Sequence, residues 1–364
     1  MYWSRNGIMS RYNSYSRVTG IGLGAAVIAV CLFLVLGSRD SNSREPAAGD
    51  DKNRIDSMPG VPDKNLFRLL KVLHREKTKP KPGDWLSCHK EPGQTFYEYV
   101  RINPERPDKK RRKIYISLLG DFDAERKKII KLTAEYMKIY FSLPVEFRKP
   151  FSLDTIPDRA QRIHPVNGVR QVLTGYVLDN LLKPRIPKDA FCYIAFTSSD
   201  LWPGKGWNFV FGQASLRERV GVWSIYRNGS PSESEKMFRL CLKRTIKTGV
   251  HETGHILSIY HCTAYECCMN GSNHRQESDS QPLWLCPVCL RKLCYAVQTD
   301  PEKRYKKLAE FCSKNGFAEE NTFFQKSLAI IQKARKERIR NPGHRKKGKV
   351  NAHSAVFISR LRLK

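Results

Sequence analysis

The sequence predicts an α/β (α+β) domain behind a single N-terminal transmembrane helix. Three observations carry this. From Lys113 to about residue 230, runs with the β-branched alternation of strands interchange with runs of helical spacing. The proline-free run "EKMFRLCLKRTIKTGVHETGHIL" supports a long helix over 240–258, placing Met237, Leu240, Cys241, Ile246, Val250 and Ile256 roughly on one stripe. At the other end, "IGLGAAVIAVCLFLVLG" (21–37) is seventeen residues without a charge. With Val18–Gly20 it reaches twenty, which at 1.5 Å per residue spans about 30 Å of hydrocarbon.

In chain order, residues 1–17 form a short tail carrying Arg5, Arg11 and Arg17, and 18–37 are the membrane anchor. The expected localisation is therefore single-pass membrane, the alternative being secretion after signal cleavage near Ser38. Lys/Arg counts on the two sides of the segment leave its orientation open. Residues 38–83 read as a flexible linker, because 38–63 is polar, holds Pro, Gly and Ser, and lacks periodicity. "KIYISLLG" (113–120) reads as a strand and "AERKKIIKLTAEYMKIYF" as a helix capped by Asp123. "LPVEF" and "AFCYIAF" (190–196) read as strands, with "QVLTGYVLDNLLK" (171–183) as a helix between them. "NFVFGQASL" (208–216) and "VGVWSIY" are two further strands. Two helices, "PEKRYKKLAEFC" and "TFFQKSLAIIQKARKERI", follow the histidine- and cysteine-rich region. The boundaries expected are a main domain over 84–320 and a C-terminal helix with basic tail over 321–364.

Lys and Arg total 65 against 35 acidic residues, a net charge of +30. Such an excess favours anionic surfaces, acidic peptides or nucleic acid as partners. Much of it is local, in "KKRRK" (109–113) and in the tail from Lys333 to Lys364, and reads equally as solvated basic faces. Eleven cysteines, an odd number, tilt toward a reducing compartment.

The chemistry concentrates in "HETGHILSIYHCTAYECCMNG" (251–271). His251 and His255 lie one helical turn apart on one face, a spacing that suits a shared Zn²⁺, and Glu252 between them can reach a water on it. His261 completes H-E-x-x-H-x5-H and supplies the third protein ligand that a catalytic zinc requires. For His261 to return to the metal, the helix must stop after His255 and the chain must reverse. Cys262 and Cys267, with the "CPVC" pair Cys286 and Cys289, make a second set, of the kind that closes a structural zinc tetrahedrally.

"HETGHILSIYHCTAYECCMNGSN" followed by "PLWLCPVCLRKL" resembles the archaemetzincin family of zinc metallopeptidases. "DAFCYIAFTSSDLWPGKGWNFVFGQASL" is similar to that family's sheet region, and "DWLSCHKEPGQTFYEYV" to its approach to the first strand. The resemblance covers roughly residues 84–335. It implies a metzincin-like zinc peptidase domain, a mixed sheet with helices plus the active-site helix, holding one catalytic and one structural zinc. It also implies that Met269 is the Met-turn beneath the catalytic metal, and that 208–216 is the edge strand that binds substrate backbone. Such peptidases usually place glycine at the turn after the second histidine; here it is Ser258.

The function expected is hydrolysis of peptide bonds in a peptide or protein substrate, with Glu252 as general base. The alternative is a zinc-stabilised scaffold of the same fold with weak or no turnover, toward which Ser258 points. A nucleic-acid partner is not expected, because Glu252 beside a three-histidine site has no use in one. Natural substrate and oligomeric state are not legible.

Overall fold

Two short helices occupy ground that the sequence assigns to a flexible linker. The computed structural model describes residues 48–215 and 217–340, and it opens with α1 (Ala48–Ser57) and α2 (Lys64–Leu70). Ile55, Phe67 and Leu70 are buried in the main core, so the linker reading of 38–83 is corrected for its described part. Periodicity is hard to see in helices of two or three turns, where one or two apolar anchors suffice to dock the element. Asp63 caps α2 by accepting from the Asn65 amide. The proposed anchor at 18–37 and the tail beyond residue 340 lie outside the described residues. Among the described residues, no helix is long and apolar enough to cross a membrane.

A segment with two short helices, α3 (Trp85–Cys88) and α4 (Phe96–Arg101), leads to the sheet. Thr95 and Glu98 form a reciprocal capping box at the start of α4. Strand β1 (Lys113–Leu119) is followed by α5 (Ala124–Phe141), whose first turn is capped by Asp123 as the sequence predicts, and then by β2 (Val145–Phe147). Next come β3 (Gln161–Ile163), β4 (Arg170–Leu173) and α6 (Thr174–Tyr176), which continues as a π-helix over Val177–Leu182. The helix read over 171–183 therefore begins only at Thr174. Its first three residues pair instead with a neighbouring strand, and the buried Gln171 amide donates to Asp200 at 2.8 Å. Strands β5 (Ala190–Thr197), β6 (Asp200–Trp202), β7 (Gly212–Ser215) and β8 (Val220–Ser224) complete the β structure.

The main sheet has the order β2-β1-β5-β8-β7. Pairing is parallel except at the edge, where β7 runs antiparallel to β8, so the sheet is mixed. All eight residues of β5 are buried, as a central parallel strand covered on both faces requires. Alternate side chains along β1 serve two different cores: Ile114 and Ile116 face one, Tyr115 and Leu119 the other. A second sheet, β3-β4-β6, is absent from the sequence reading, because strands of three or four residues give almost no alternation to detect. Residues 208–211, read as the start of the edge strand, instead bridge to Leu201 through Val210.

Helix α7 (Glu235–Ile256) packs against α5, closely enough that a Cβ on Gly249 would meet the Met137 sulfur at 3.3 Å. After α8 (Arg275–Ser280), α9 (Pro287–Val297) is a helix the sequence reading missed, with Cys286 as its N-cap and Pro287 at its first position. Then follow α10 (Pro301–Lys314) and α11 (Ala318–Arg340). Phe323, Phe324 and Ile331 of α11 lie in the main core, which therefore extends past the expected boundary at residue 320.

Candidate metal centre

The last turns of α7 carry His251, Glu252 and His255, all buried. Each imidazole is held from behind. His251 Nδ1 lies 2.8 Å from the Cys268 carbonyl oxygen, and His255 Nδ1 lies 2.7 Å from that of Ile259. A carbonyl oxygen accepts only, so each Nδ1 carries the proton and each Nε2 presents a lone pair. Burial pushes the His251 imidazole down to about 3 and His255 well below its ordinary value, which keeps both rings neutral.

The chain then reverses as the third histidine requires. Ser258 sits at φ 65°, in the left-handed region. Its amide donates to the His255 carbonyl at 2.7 Å and the Ile259 amide to the Gly254 carbonyl at 3.1 Å, the two bonds of a Schellman turn. Glycine enters that region freely, whereas an L-residue gives up roughly 1–2 kcal/mol. Serine is compensated through its hydroxyl, which accepts from the Glu105 amide at 3.1 Å.

Beyond the turn, His261 is buried, with Nδ1 at 2.9 and 3.0 Å from the two carboxylate oxygens of Glu91. Burial opposes charge on Glu91, yet its bonds to His261 hold the carboxyl below the usual range. His261 Nε2 is buried without a protein partner among the described residues, and the Nε2 atoms of His251 and His255 lie 3.0 Å apart. One ring nitrogen from each of the three histidines falls within 4.8 Å of the others. Neutral acceptors this close repel each other unless they share a cation. Three imidazole nitrogens are a donor set that suits zinc, in the number found at catalytic sites.

Glu252 points beneath the edge of the sheet, where a Cβ built on Gly212 of β7 would lie 3.6 Å from its Cγ. Its Oε2 is buried with no partner among the described residues, and burial pushes the carboxyl up to about 8. Met269 packs under the helix between the paired histidines: a Cβ on Gly254 would come within 2.7 Å of its sulfur. Tyr265 is not directed at this cluster; its ring packs near His74 and Lys71.

The four cysteines expected to act together do meet. One sulfur each from Cys262, Cys267, Cys286 and Cys289 lies within 4.8 Å of the others, with Cys262 and Cys286 3.6 Å apart. Backbone amides of Cys286 and Met269 point at the Cys267 sulfur, at 3.2 and 3.5 Å. Contacts from the other three thiols hold the Cys262 thiol well below its ordinary value. Cys268 and Cys294 are outside the group, and burial pushes them up to about 11 and about 12. A surface concavity of about 810 Å³ borders this cluster rather than the histidines, lined in part by Phe67, Lys71, Cys262 and Arg291. The residue that sequence reasoning missed is Glu91. It lies 170 positions from His261, and its only signal is a Glu-Pro-Gly turn ahead of α4.

The model of peptidase family M54 matches residues 177–295. Archaemetzincin-2 of Pongo abelii is 33% identical over 347 residues, covering 80% of this chain and 96% of its own length. Archaemetzincin of Thermococcus kodakarensis is 34% identical over 175 residues, covering 45% of this chain and 88% of its own. A crystal structure of archaemetzincin from Methanopyrus kandleri is 26% identical and covers 53% of this chain and 99% of its own, with a TM-score of 0.42.

Proposed function

The chain belongs to the archaemetzincins, zinc metallopeptidases of family M54, and from that premise we propose that it hydrolyses peptide bonds with His251, His255 and His261 as the catalytic zinc ligands and Glu252 as general base. The observation that carries this reading is the convergence of one ring nitrogen from each of three histidines, with every Nδ1 fixed by an acceptor. Zinc bound there supplies Lewis acidity toward a carbonyl and acidifies water. Buried Glu252, whose ionised form a dication held by the three histidines would favour, has one oxygen free of protein partners among the described residues and could then take a proton from the attacking water and return it to the leaving amine. Met269 is the floor under the histidine pair.

A second zinc belongs to Cys262, Cys267, Cys286 and Cys289, where four sulfurs close the set and the role is structural. The peptide substrate lies along β7. This strand is at the sheet edge, next to Glu252, and its outer side offers main-chain groups for strand addition. Residues 18–37 anchor the enzyme to a membrane; deleting 1–37 should release full activity from carbonate-resistant membranes into the soluble fraction.

The test is zinc analysis of the purified chain alongside cleavage of a mixed peptide library. Two equivalents of zinc and chelator-sensitive cleavage are expected. Zinc-loaded protein that leaves every peptide intact would shift the reading to a zinc-stabilised scaffold.

A further inference from the structure

Two of the three imidazoles differ from the third in what holds them. His251 and His255 stand on one rigid helix, and both back onto neutral carbonyl oxygens from nearby in the chain. His261 stands on a loop, past a left-handed turn, and backs onto a carboxylate contributed from far upstream. A ring on a loop has no helix to fix its plane, so its orientation must come from outside. We propose that Glu91 is a positioning residue for His261, and that the strap from Asp84 to Glu105 is a working part of the active site.

The strap is fastened along its whole length. At its start, the Trp85 amide donates to both oxygens of buried Glu277 at 3.0 Å, and the Trp85 indole meets the His261 ring edge-to-face at 5.1 Å between centroids. In its middle, Gly93 lies so close to the loop after His261 that a Cβ would fall within 2.3 Å of the Thr263 hydroxyl. Gln94 clasps the reversing turn from both sides, donating to the Ser258 carbonyl at 3.3 Å and accepting from the Tyr260 amide at 3.2 Å. Lys292 of α9 locks Gln94 in turn, at 2.5 Å from its carbonyl and 3.0 Å from its side-chain oxygen. Tyr99 donates to the Leu257 carbonyl at 2.7 Å, and the Glu105 amide donates to the Ser258 hydroxyl at 3.1 Å. Every residue from Leu257 to His261 except Ile259 is thus bonded to the strap, and the Ile259 carbonyl already holds His255.

Glu91 adds more than geometry. Its carboxylate fixes the proton on Nδ1, directs the Nε2 lone pair inward and makes the ring a stronger donor, the usual effect of a carboxylate behind a metal-bound histidine. Three neutral imidazoles around a divalent cation leave its charge uncompensated, and Glu91 supplies a negative charge one ring away. The family match at 177–295 does not reach Glu91, so this support comes from outside the matched core.

The proposal rests on His261 being a ligand, and the experiment separates the two. The full chain is prepared with Glu91→Gln, Glu91→Ala and, as reference, His261→Ala. Zinc competition against a chelator and the cobalt-substituted absorption spectrum are read for each. Glu91→Ala is expected to lose roughly 10–100-fold in zinc affinity at the histidine site and to alter its cobalt bands. The cobalt–thiolate bands of the cysteine cluster and the melting temperature should stay in place. Glu91→Gln keeps an acceptor oxygen and loses the charge, so it should fall between wild type and alanine. If His261→Ala weakens the site while both Glu91 variants match wild type, the positioning role is overturned and the ligand reading stands. If His261→Ala changes nothing, the ligand reading itself is wrong. Should Glu91→Ala not fold, the Gln variant decides alone: unchanged affinity and cobalt spectrum count against the proposal.

Discussion

The histidine cluster and the cysteine cluster are neighbours, joined by the single peptide link between His261 and Cys262, yet they are built on opposite plans. The cysteines form a closed set of four, with backbone amides aimed at the sulfurs and Cys267, Cys286 and Cys289 almost wholly buried. The histidines form a set of three, backed by acceptors, with a buried carboxylate alongside. Four protein ligands leave a metal nothing to do but hold the chain; three leave it a position for a reactant. The two clusters also share supports. Cys268, whose carbonyl fixes His251, directly follows Cys267, and the Cys262 amide donates to the Met269 carbonyl at 2.7 Å. Two of the three histidines are thus set in place by chain that the cysteine cluster organises.

Breaking the closed set should have the largest effect. Structural zinc is worth about 10–16 kcal/mol in small zinc domains, so Cys289→Ser is expected to cost one equivalent of zinc and lower the melting temperature by about 10 °C or more. Because Cys262 directly follows His261, chelator resistance at the histidine site should drop as well. An unchanged melting curve and metal count would mean that Cys289 is not in the set, and would make Cys268 or Cys294 the next cysteine to substitute.

Glu252→Gln attacks the open set instead. Turnover should fall roughly 10²–10⁴-fold, the usual worth of a general base, with both zincs retained. The melting temperature should hold or rise, since an amide is easier to bury than a carboxylate. Full activity in the zinc-loaded variant would remove Glu252 from the mechanism.

The smallest effect sharpens the comparison at the turn that separates the clusters. Ser258→Gly relieves about 1–2 kcal/mol of left-handed strain and gives up a hydrogen bond worth about 0.5–1.5 kcal/mol, leaving a net change near zero. Ser258→Ala gives up the bond and keeps the strain, so alanine should be less stable than glycine by about 1 kcal/mol in denaturant unfolding. Equal stabilities for the two variants would mean that the left-handed strain at residue 258 is no larger than the extra unfolded-chain entropy of glycine, about 0.4–1 kcal/mol.

What was legible in the sequence was what lies close together in it. The three histidines and four cysteines fall between His251 and Cys289, and their spacings group them as the structure does. The helix of the first two histidines, the buried central strand and the Asp123 cap were read from periodicity and capping. Short elements escaped. The second sheet is built from strands of three or four residues, and α1 and α2 are anchored by only a few apolar side chains. Glu91 escaped for a different reason: its role exists only across a contact between segments 170 residues apart.

The link between His261 and Cys262 also bears on how the two clusters assemble. His251 and His255 come together as soon as α7 winds, an event of about a microsecond. Cys262 reaches Cys286 only by closing a loop across 24 positions, a step with an entropy cost that metal–sulfur bonds can offset. His261, bonded directly to Cys262, reaches its final position only as the turn and the cysteine loop settle together. With the zinc assignments proposed above, refolding chain is expected to bind metal at the cysteines before it gains peptidase activity. When unfolded, metal-free chain is mixed with cobalt under refolding conditions, thiolate absorption should rise ahead of peptide cleavage; cleavage that leads or keeps pace would mean the two clusters mature independently.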